Sequence, residues 1–341
     1  PFAEEYLRGY FPPQLRPYED RFIEHRLSRE ITCTLIANEL VNRGGLSFAF
    51  RLSEESHASV VAVVRAFVAA KEIFGFDAIW NQIEALDNLV PDRVQQRMLI
   101  ETRKLLERTS RWILRRYPNG FDVETVVAQF GPGARQMRDW LNSKPGNPDA
   151  GVANAGWANE LTDAGVSPVL ARLVDGLARA WVALDVVALS EETNVDALSA
   201  ANIYLDFANA LNLDWLLGEI IKLPRATHWE ARARLGLRDE LLDSQQRLVR
   251  AAISVTADSS PTSSAGAETD GSGLVEAWMA ANEAPVLRYR KLLEELGAAQ
   301  AVDYPMMAAA VSEFRLLQAS SRGALDTGSG NSDAEPYSSA A

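Results

Sequence analysis

The chain has 341 residues, of which 47% are hydrophobic and 23% charged, and this composition excludes a wholly disordered protein. Its length corresponds to roughly two domains and can bury a core without disulfides or a structural metal. The net charge of −12 disfavours a nucleic-acid partner, and the single cysteine, Cys33, excludes an intramolecular disulfide. We find no signal peptide and no uncharged apolar run of the roughly 18 residues that span a membrane, so no membrane partner is expected.

Apolar residues recur at helical spacing along almost the whole chain. The first example is Ile31 and Leu35, which follow a candidate N-cap at Ser28 and precede a stop at Gly44. No run alternates apolar and polar residues between turns, so the sequence predicts an all-α fold without a sheet. The predicted helices cover 28–43, 53–74, 77–86, 91–117, 122–140, 169–189, 195–211, 214–223, 228–254, 274–296 and 306–318. The residues that predict their ends are Gly75 as a stop, Pro91 as a start, Asp122 and Ser167 as N-caps, and Thr227 with Glu230 as a capping box.

Composition shifts between these helices suggest two packed helical subdomains. The first covers 1–142 and the second covers 157–319, with a Pro/Gly/Asn-rich linker at 143–156. Ser, Thr and Gly are frequent at 257–272, which predicts a flexible loop within the second bundle. The tail at 320–341 lacks apolar periodicity and is predicted to be disordered.

Two glycine pairs come nearest to a nucleotide-binding motif. A Rossmann fingerprint needs three glycines in a turn between a strand and a helix. The pairs at 131–133 and 271–273 lack the third glycine, since Gln136 and Glu276 stand in its place. Neither pair follows a predicted strand, and no glycine precedes a lysine as a P-loop requires. We therefore predict no cofactor-binding and no catalytic residue in this chain.

Glu54 and His57 have the E-x-x-H spacing of di-iron helical bundles. Such a site needs a second E-x-x-H, and neither of the other histidines, His25 and His228, follows a glutamate by three positions. We therefore favour a solvated histidine near a first-turn carboxylate and predict no metal site, although an all-α metalloenzyme stays open as an alternative. Cys33 has apolar neighbours and is predicted to be an inert, mostly buried thiol.

The fourth predicted helix is basic, with eight Lys or Arg residues against three acidic ones. Pairs such as Glu107 and Arg111 have the spacing of stabilising ion pairs, so we favour a solvated or subunit-facing side over contact with a polyanion. A strip that combines Trp80, Trp112, Arg111 and Arg115 is a candidate contact face, because aromatic residues and arginine are enriched at interfaces.

Two amides occupy positions of the second-helix stripe where periodicity would place aliphatic residues. A buried amide without a partner costs about 1–3 kcal/mol, so each should bind a neighbouring group. We favour anchoring of the following backbone over contact with a ligand. The predicted structural anchors are Asn38, Asn42, Arg43, Gly44 and Gly45.

An ordered series of short motifs lies between Tyr6 and Tyr117. The motifs are Ser28–Ile31, Ala37–Gly45, Phe50–Leu52, Ala69–Phe74, Ile83–Asp87 and Arg111–Arg115. The series resembles the C-terminal region of the large bacterial NAD-specific glutamate dehydrogenases. Beyond Tyr117 the resemblance is limited to helical character and length.

The resemblance implies a parent enzyme that oxidises glutamate to 2-oxoglutarate and ammonium while it reduces NAD. In that family a lysine, an aspartate and a Rossmann domain perform the chemistry, and all of them precede the region that resembles this chain. No catalytic or NAD-binding residue of the family maps onto it, so the resemblance implies a non-catalytic structural, assembly or regulatory region that binds no cofactor and is inactive alone.

The implied partners are an upstream catalytic domain of the same polypeptide and further copies of it in a homo-oligomer, and we expect the protein to be cytoplasmic. The chain begins with Pro1 rather than methionine, from which we expect a processed chain or a piece of a longer one. A stand-alone helical protein-interaction module remains the alternative.

Overall fold

The computed structural model describes residues 2–143, 157–259 and 271–326. Within these ranges the backbone forms helices and no strand, which confirms the predicted all-α fold. The chain divides into two compact units. Unit 1 comprises Pro1–Asp139 and Ala158–Trp181, and unit 2 comprises Trp140–Trp157 and Val182–Ala341. None of the described helices is both long and apolar enough to cross a bilayer.

Among the described residues, unit 1 contains nine α-helices in whole or for part of their length. They are α1 (Phe2–Tyr10), α2 (Ser28–Glu39), α3 (Phe48–Ser56), α4 (Val60–Phe74), α5 (Phe76–Glu84), α6 (Asp92–Arg116), α7 (Val123–Ser143), α8 (Trp157–Asp163) and α9 (Pro168–Leu177). A 3-10 helix at Pro13–Glu24 joins α1 to α2, and a π-helical turn at Leu40–Gly44 follows α2.

The core of unit 1 lies between α4 and α6. Helix α6 packs against α3, α4, α5 and α9, and α4 buries nine of its fifteen residues. The rings of Phe48 and Phe67 meet edge to face at 5.8 Å. The indole of Trp80 is buried and donates a hydrogen bond of 3.0 Å to Thr102 Oγ1, so its polar atom is satisfied within the core.

Unit 2 is built around α13, which packs against α10, α11, α12 and α16. Its helices are α10 (Ala183–Thr193), α11 (Ala197–Ala210), α12 (Leu213–Lys222), α13 (His228–Ser259), α14 (Gly271–Ala281), α15 (Glu283–Gly297) and α16 (Tyr304–Asp326). Thr227 Oγ1 accepts the Glu230 N–H at 3.2 Å and Glu230 Oε2 accepts the Thr227 N–H at 2.8 Å. These bonds form the predicted capping box at the start of α13.

Several predicted boundaries are confirmed. Gly75 ends α4 with a φ of 65°, Pro91 immediately precedes α6, and Ser167 Oγ accepts the N–H of Leu170 at the start of α9. Asp122 caps α7 through a 2.9 Å bond from the Thr125 N–H. Each of these boundaries depends on local side-chain or φ chemistry, which the sequence alone specifies.

Other boundaries differ from the prediction. The single helix predicted over 53–74 is two helices, because His57 adopts a left-handed φ of 55° and Ser59 caps the new start at Val60. Ser28 begins α2 without capping it, since Leu27 holds the N-cap position. The predicted helix 274–296 breaks at Asn282, which places Pro285 in the first turn of α15, where a proline is tolerated.

The division into units also differs from the predicted subdomains. Residues 158–181 group with unit 1 rather than with the bundle predicted over 157–319, because α9 packs on α6 and Arg97 pairs with Glu160 at 3.2 Å. The predicted helix 169–189 is interrupted by a 3-10 turn at Ala180–Val182.

The predicted linker, loop and tail fall mostly outside the described residues. Of the linker at 143–156, only Ser143 is described, as the last residue of α7. Helix α13 continues through Ser259 and α14 begins at Gly271, so both ends of the predicted loop 257–272 are helical. Helix α16 reaches Asp326, which extends regular structure past the predicted start of the tail at 320.

Candidate functional site: a buried lysine beneath an acidic cavity

A cavity of about 600 Å³ in unit 1 has Lys71 in its lining. The lysine lies on the last turns of α4 and is only 4% exposed. Helices α1, α2 and α5 supply the oxygens around it. We call the Lys71 cluster the group formed by Tyr6, Glu39, Lys71, Glu72 and Asp77.

Oxygen atoms surround the Lys71 ammonium. Lys71 Nζ lies 3.0 Å from Asp77 Oδ2, 3.2 Å from the Tyr6 hydroxyl and 3.4 Å from Glu39 Oε1. The Tyr6 hydroxyl donates a hydrogen bond to Glu39 Oε2, and its ring centroid lies 4.7 Å from Nζ. The cluster therefore joins four helices through one charge.

Two groups of the cluster, the Lys71 ammonium and the Tyr6 phenol, keep their protons near neutral pH. Burial alone lowers the pKa of Lys71, but the oxygens of Tyr6, Glu39 and Asp77 outweigh it and hold that pKa above its ordinary value. Burial, reinforced by the hydrogen bond to Glu39, raises the pKa of Tyr6 well above its usual range. Because the Lys71 ammonium and the Tyr6 phenol keep their protons, neither is a free nucleophile or general base, and both can donate hydrogen bonds.

The cavity above the cluster carries more negative than positive side chains. The charged residues that line it are Glu5, Glu39, Asp77, Glu84, Arg43 and Lys71. Burial raises the pKa of Glu72, beside the lysine. The cavity therefore favours cationic over anionic groups.

Two arginines of α7 fix the turn of α4 that holds Lys71. Arg135 Nη1 donates to the carbonyls of Glu72 and Ile73 at 3.2 and 3.1 Å, and Arg138 Nη1 donates to the carbonyl of Phe74 at 2.8 Å. Carbonyls at the end of a helix have no intrahelical partner, so the guanidinium groups satisfy them and complement the helix dipole.

A second ion network joins α3 to α6. Glu107 Oε2 accepts from Arg51 at 2.7 Å, and Glu107 Oε1 lies 3.2 Å from Arg111, which confirms the pair predicted from spacing. Arg111 also donates from Nε to Glu55 at 3.1 Å. Burial raises the pKa of Glu107, but Arg111 and Arg51 outweigh it, so the net shift is downward. This network keeps Arg111 inside the unit.

The contact strip suggested from aromatic and arginine content is therefore wrong in part. Trp80 is 2% exposed and stacks on Phe76, and Arg111 is 7% exposed within its ion pairs. The ring of Trp112 packs edge to face on Phe130 at 5.1 Å. Trp80, Arg111 and Trp112 therefore make these contacts inside unit 1, because the apolar stripe of α6 faces the core of the unit.

The five predicted anchors divide into two groups. Asn38 and Asn42 are exposed, so the interpretation of both as buried amides is wrong: α2 packs mainly on α1 and has no fully buried side chain. Arg43 places its guanidinium 4.6 Å from the Trp80 ring centroid and forms an ion pair with Glu84. Its carbonyl accepts from Arg103 Nε at 3.0 Å.

The two glycines that end this segment have different requirements. A Cβ on Gly44 would lie 2.7 Å from Cγ of Phe48, so the close approach of this ring needs a glycine. Gly45 has a φ of 93°, which side chains with a Cβ rarely adopt. The turn between α2 and α3 therefore requires glycine at both positions, and their role as anchors stays a prediction.

The structure also bears on the predictions made for Cys33 and for the Glu54–His57 pair. Cys33 is exposed, which corrects the prediction of a buried thiol. His57 leaves the helical conformation at the end of α3, so it does not continue the helical face of Glu54. Within the described ranges no group of three His, Cys, Asp or Glu side chains could hold a metal ion.

Sequence reasoning missed the Lys71 cluster. Its one signal is a lysine on the buried stripe of α4, between Phe67 and Phe74 at helical spacing. Tyr6 and Asp77 gave no signal, because α1 was not predicted and Asp77 reads as an ordinary first-turn acid of α5.

The chain is similar to known proteins over nearly its full length. A family model described as "Glutamate dehydrogenase, C-terminal" matches residues 1–316, well beyond Tyr117. The NAD-specific glutamate dehydrogenase of Pseudomonas aeruginosa is 35% identical over 317 residues, and that of Halomonas elongata is 31% identical over 318. The protein of the same name from Mycobacterium tuberculosis is 29% identical over 324 residues.

These matches cover a much larger share of this chain than of each relative. They take in 92–93% of this chain but 19% of each relative, so the chain spans about a fifth of the length of the curated relatives. The resemblance found from the motifs is thereby confirmed. The chain belongs to the glutamate dehydrogenase C-terminal family and corresponds to the C-terminal region of NAD-specific glutamate dehydrogenases.

Proposed function

We propose that this chain is a non-catalytic helical region of an NAD-dependent glutamate dehydrogenase, with a structural, assembly or regulatory role. The parent enzyme would oxidatively deaminate L-glutamate to 2-oxoglutarate and ammonium and reduce NAD. The observation that carries this proposal is the unequal coverage, in which nearly the whole chain matches a fifth of each NAD-specific relative.

The chemistry of unit 1 supports the same proposal. Binding of NAD by a Rossmann domain requires parallel strands that lead into helix N-termini, and the described residues are helical. Lys71, the most buried of the lysines that the structure describes, is held protonated by its oxygen partners rather than poised as a base. The upstream part of the same polypeptide is the proposed site of catalysis and of NAD binding.

Titration of the chain with NADH tests this proposal. Calorimetry and NADH fluorescence are expected to give no saturable binding to the chain alone, once circular dichroism has shown it to be helical. The longer polypeptide that contains it is expected to bind NADH and to form NADH from NAD and glutamate. Saturable binding of NADH by the chain alone would overturn the non-catalytic assignment.

A homo-oligomeric, cytoplasmic parent is part of the proposal, and sedimentation velocity of the longer polypeptide tests its assembly. The alternative, a stand-alone interaction module, is distinguished by the coding sequence upstream of Pro1. An in-frame glycine-rich strand–turn–helix pattern favours the enzyme, and a start codon at that position favours the module.

A further inference from the structure

We propose that one exposed face of α2 docks against the remainder of the glutamate dehydrogenase polypeptide, an inference that rests on the proposed function. We call it the α2 face, and it continues through the following turn into the start of α3. Its residues are Cys33, Thr34, Ala37, Asn38, Val41, Leu46 and Phe50.

Large apolar side chains at one end of the α2 face are left in solvent by unit 1. Leu46 is 90% exposed, Phe50 is 69% exposed, and Val41 is 40% exposed. Helix α2 itself has no buried residue among its twelve, whereas α4 of the same unit buries nine of fifteen. The three lie within ten residues of the sequence, and large exposed apolar residues that occur together mark an interaction surface more often than an isolated one does.

The α2 face carries little charge after its first turn. From Ile31 to Asn42 the one charged residue is Glu39, and its carboxylate points inward to Tyr6 and Lys71. Arg29 and Glu30, both exposed, lie one helical turn before Cys33 and Thr34 and place charge at the start of the face. A solvated helix normally places charged residues on its outer side, whereas the centre of a protein interface is depleted in them.

The sequence pattern independently indicates burial at these positions. The apolar neighbours of Cys33 predict that its thiol is buried, and the helical stripe predicts a partnered amide at Asn38, yet unit 1 leaves both exposed. Asn42, the other predicted amide, lies outside the α2 face and lines the cavity beside Lys71. A second protein surface over the α2 face reconciles the pattern with the structure, and the Asn38 amide would then find its hydrogen-bond partners on that surface.

The occupant we commit to is the rest of the same polypeptide rather than a second copy. The matched region is 19% of each relative, so most of each relative lies outside it. A twelve-residue helix is about 18 Å long and about 10 Å wide, which gives a footprint on the order of 200 Å². Separate chains need roughly 800 Å² per partner, whereas a tethered surface binds at high effective concentration and needs less.

Cys33 is the natural reporter, because it is the single cysteine of this chain and lies on the α2 face. Native alkylation by iodoacetamide would be followed by mass spectrometry of the Cys33 peptide, in the chain alone and in the longer polypeptide. We expect the rate to be at least about tenfold slower in the longer polypeptide, and equal in both after denaturation. Equal native rates would overturn the proposal.

Variants locate the protection on the face. Leu46→Glu with Phe50→Glu in the longer polypeptide is expected to return the Cys33 rate to within about twofold of that of the chain alone. Leu89→Glu, at a 73% exposed position of unit 1 outside the face, is the matched control and should leave Cys33 protected. Protection that survives the double change would contradict docking through these residues.

Two further readouts separate the possible failures. Concentration-dependent protection of Cys33 in the chain alone, with a dimer in sedimentation, would assign the face to a second copy and overturn our commitment. Glutamate-dependent formation of NADH by a longer polypeptide with unprotected Cys33 would overturn docking alone. A protected Cys33 in a polypeptide without that activity would support docking and overturn the proposed enzyme.

Discussion

The tyrosine hydroxyls of the two units differ in whether they have hydrogen-bond partners. In unit 1 the Tyr6 hydroxyl donates to Glu39 and accepts from Lys71, which is 65 residues away in sequence. In unit 2 the hydroxyls of Tyr204 and Tyr289 are buried, and neither has a hydrogen-bond partner among the described residues. Unit 1 therefore joins distant segments through charge, whereas these positions of unit 2 are held by packing.

This difference indicates how the stability of each unit should respond when a buried polar group is removed. A charge network that joins four helices loses every link made by its central cation when that cation is removed. The Tyr6–Glu39 hydrogen bond remains, but the carboxylates then repel one another. A tyrosine held by packing alone loses little when its hydroxyl is removed, since the unpaired group already has a desolvation cost. The predictions below test this contrast from the largest expected effect to the smallest.

Lys71→Met should be the most destabilising of these changes. It leaves Glu39, Glu72 and Asp77 near one another without the ammonium, which should cost about 3–5 kcal/mol of unfolding free energy. The matched control in unit 2 is Lys222→Met, whose lysine is 70% exposed and pairs only with Glu219 at 2.6 Å among the described residues. It should change stability by less than about 1 kcal/mol in urea denaturation. Equal effects of the two changes would refute the contrast.

Removal of a hydroxyl should act in opposite directions in the two units. Tyr6→Phe should cost about 1.5–3 kcal/mol, because the Glu39 carboxylate and the Lys71 ammonium both lose a partner. Tyr289→Phe should be neutral or stabilising by up to about 1 kcal/mol. Thermal and urea unfolding of both variants gives the comparison, and a large loss in Tyr289→Phe would show that its hydroxyl has a partner after all.

Two helical glycines should respond differently to alanine. Gly44→Ala should cost about 1–3 kcal/mol, because the new Cβ would meet the Phe48 ring. Gly236→Ala, in α13 of unit 2, meets nothing within 4 Å and should stabilise by about 0.5–1 kcal/mol through helix propensity. Melting temperatures that move in the same direction would contradict this account of the turn after α2.

Alkaline pH should weaken unit 1 through Lys71. The pKa of this lysine is raised on folding, so its contribution is fully present below its ordinary value of 10.5 and is lost as pH rises through the folded pKa. The stability difference between the native chain and Lys71→Met should therefore be constant from neutral pH to about 10 and shrink above it. A difference that already shrinks between pH 7 and 9 would contradict the raised pKa.

Local chemistry explains which parts of the fold could be predicted. Gly75, Pro91 and the Thr227–Glu230 box each define a helix end through their own φ or side chain, and each was predicted correctly. His57 carries no comparable signal, because a left-handed φ at a histidine is set by how α3 and α4 pack. The helix predicted across it was therefore too long.

The Lys71 cluster was beyond sequence reasoning because its members are scattered. Tyr6, Glu39 and Asp77 come from three different helices, and only tertiary packing brings them to one ammonium. Exposure at Cys33 and Asn38 was mispredicted for the related reason that helical periodicity indicates which face is buried without indicating what buries it.

We propose that this chain supplies structure to a glutamate dehydrogenase and takes no part in its chemistry. The most direct measurement is kcat of the longer polypeptide carrying Lys71→Met, normalised to the folded fraction determined by circular dichroism. We expect a smaller folded fraction and an unchanged kcat per folded molecule. A fully folded variant whose kcat falls tenfold or more would contradict the claim.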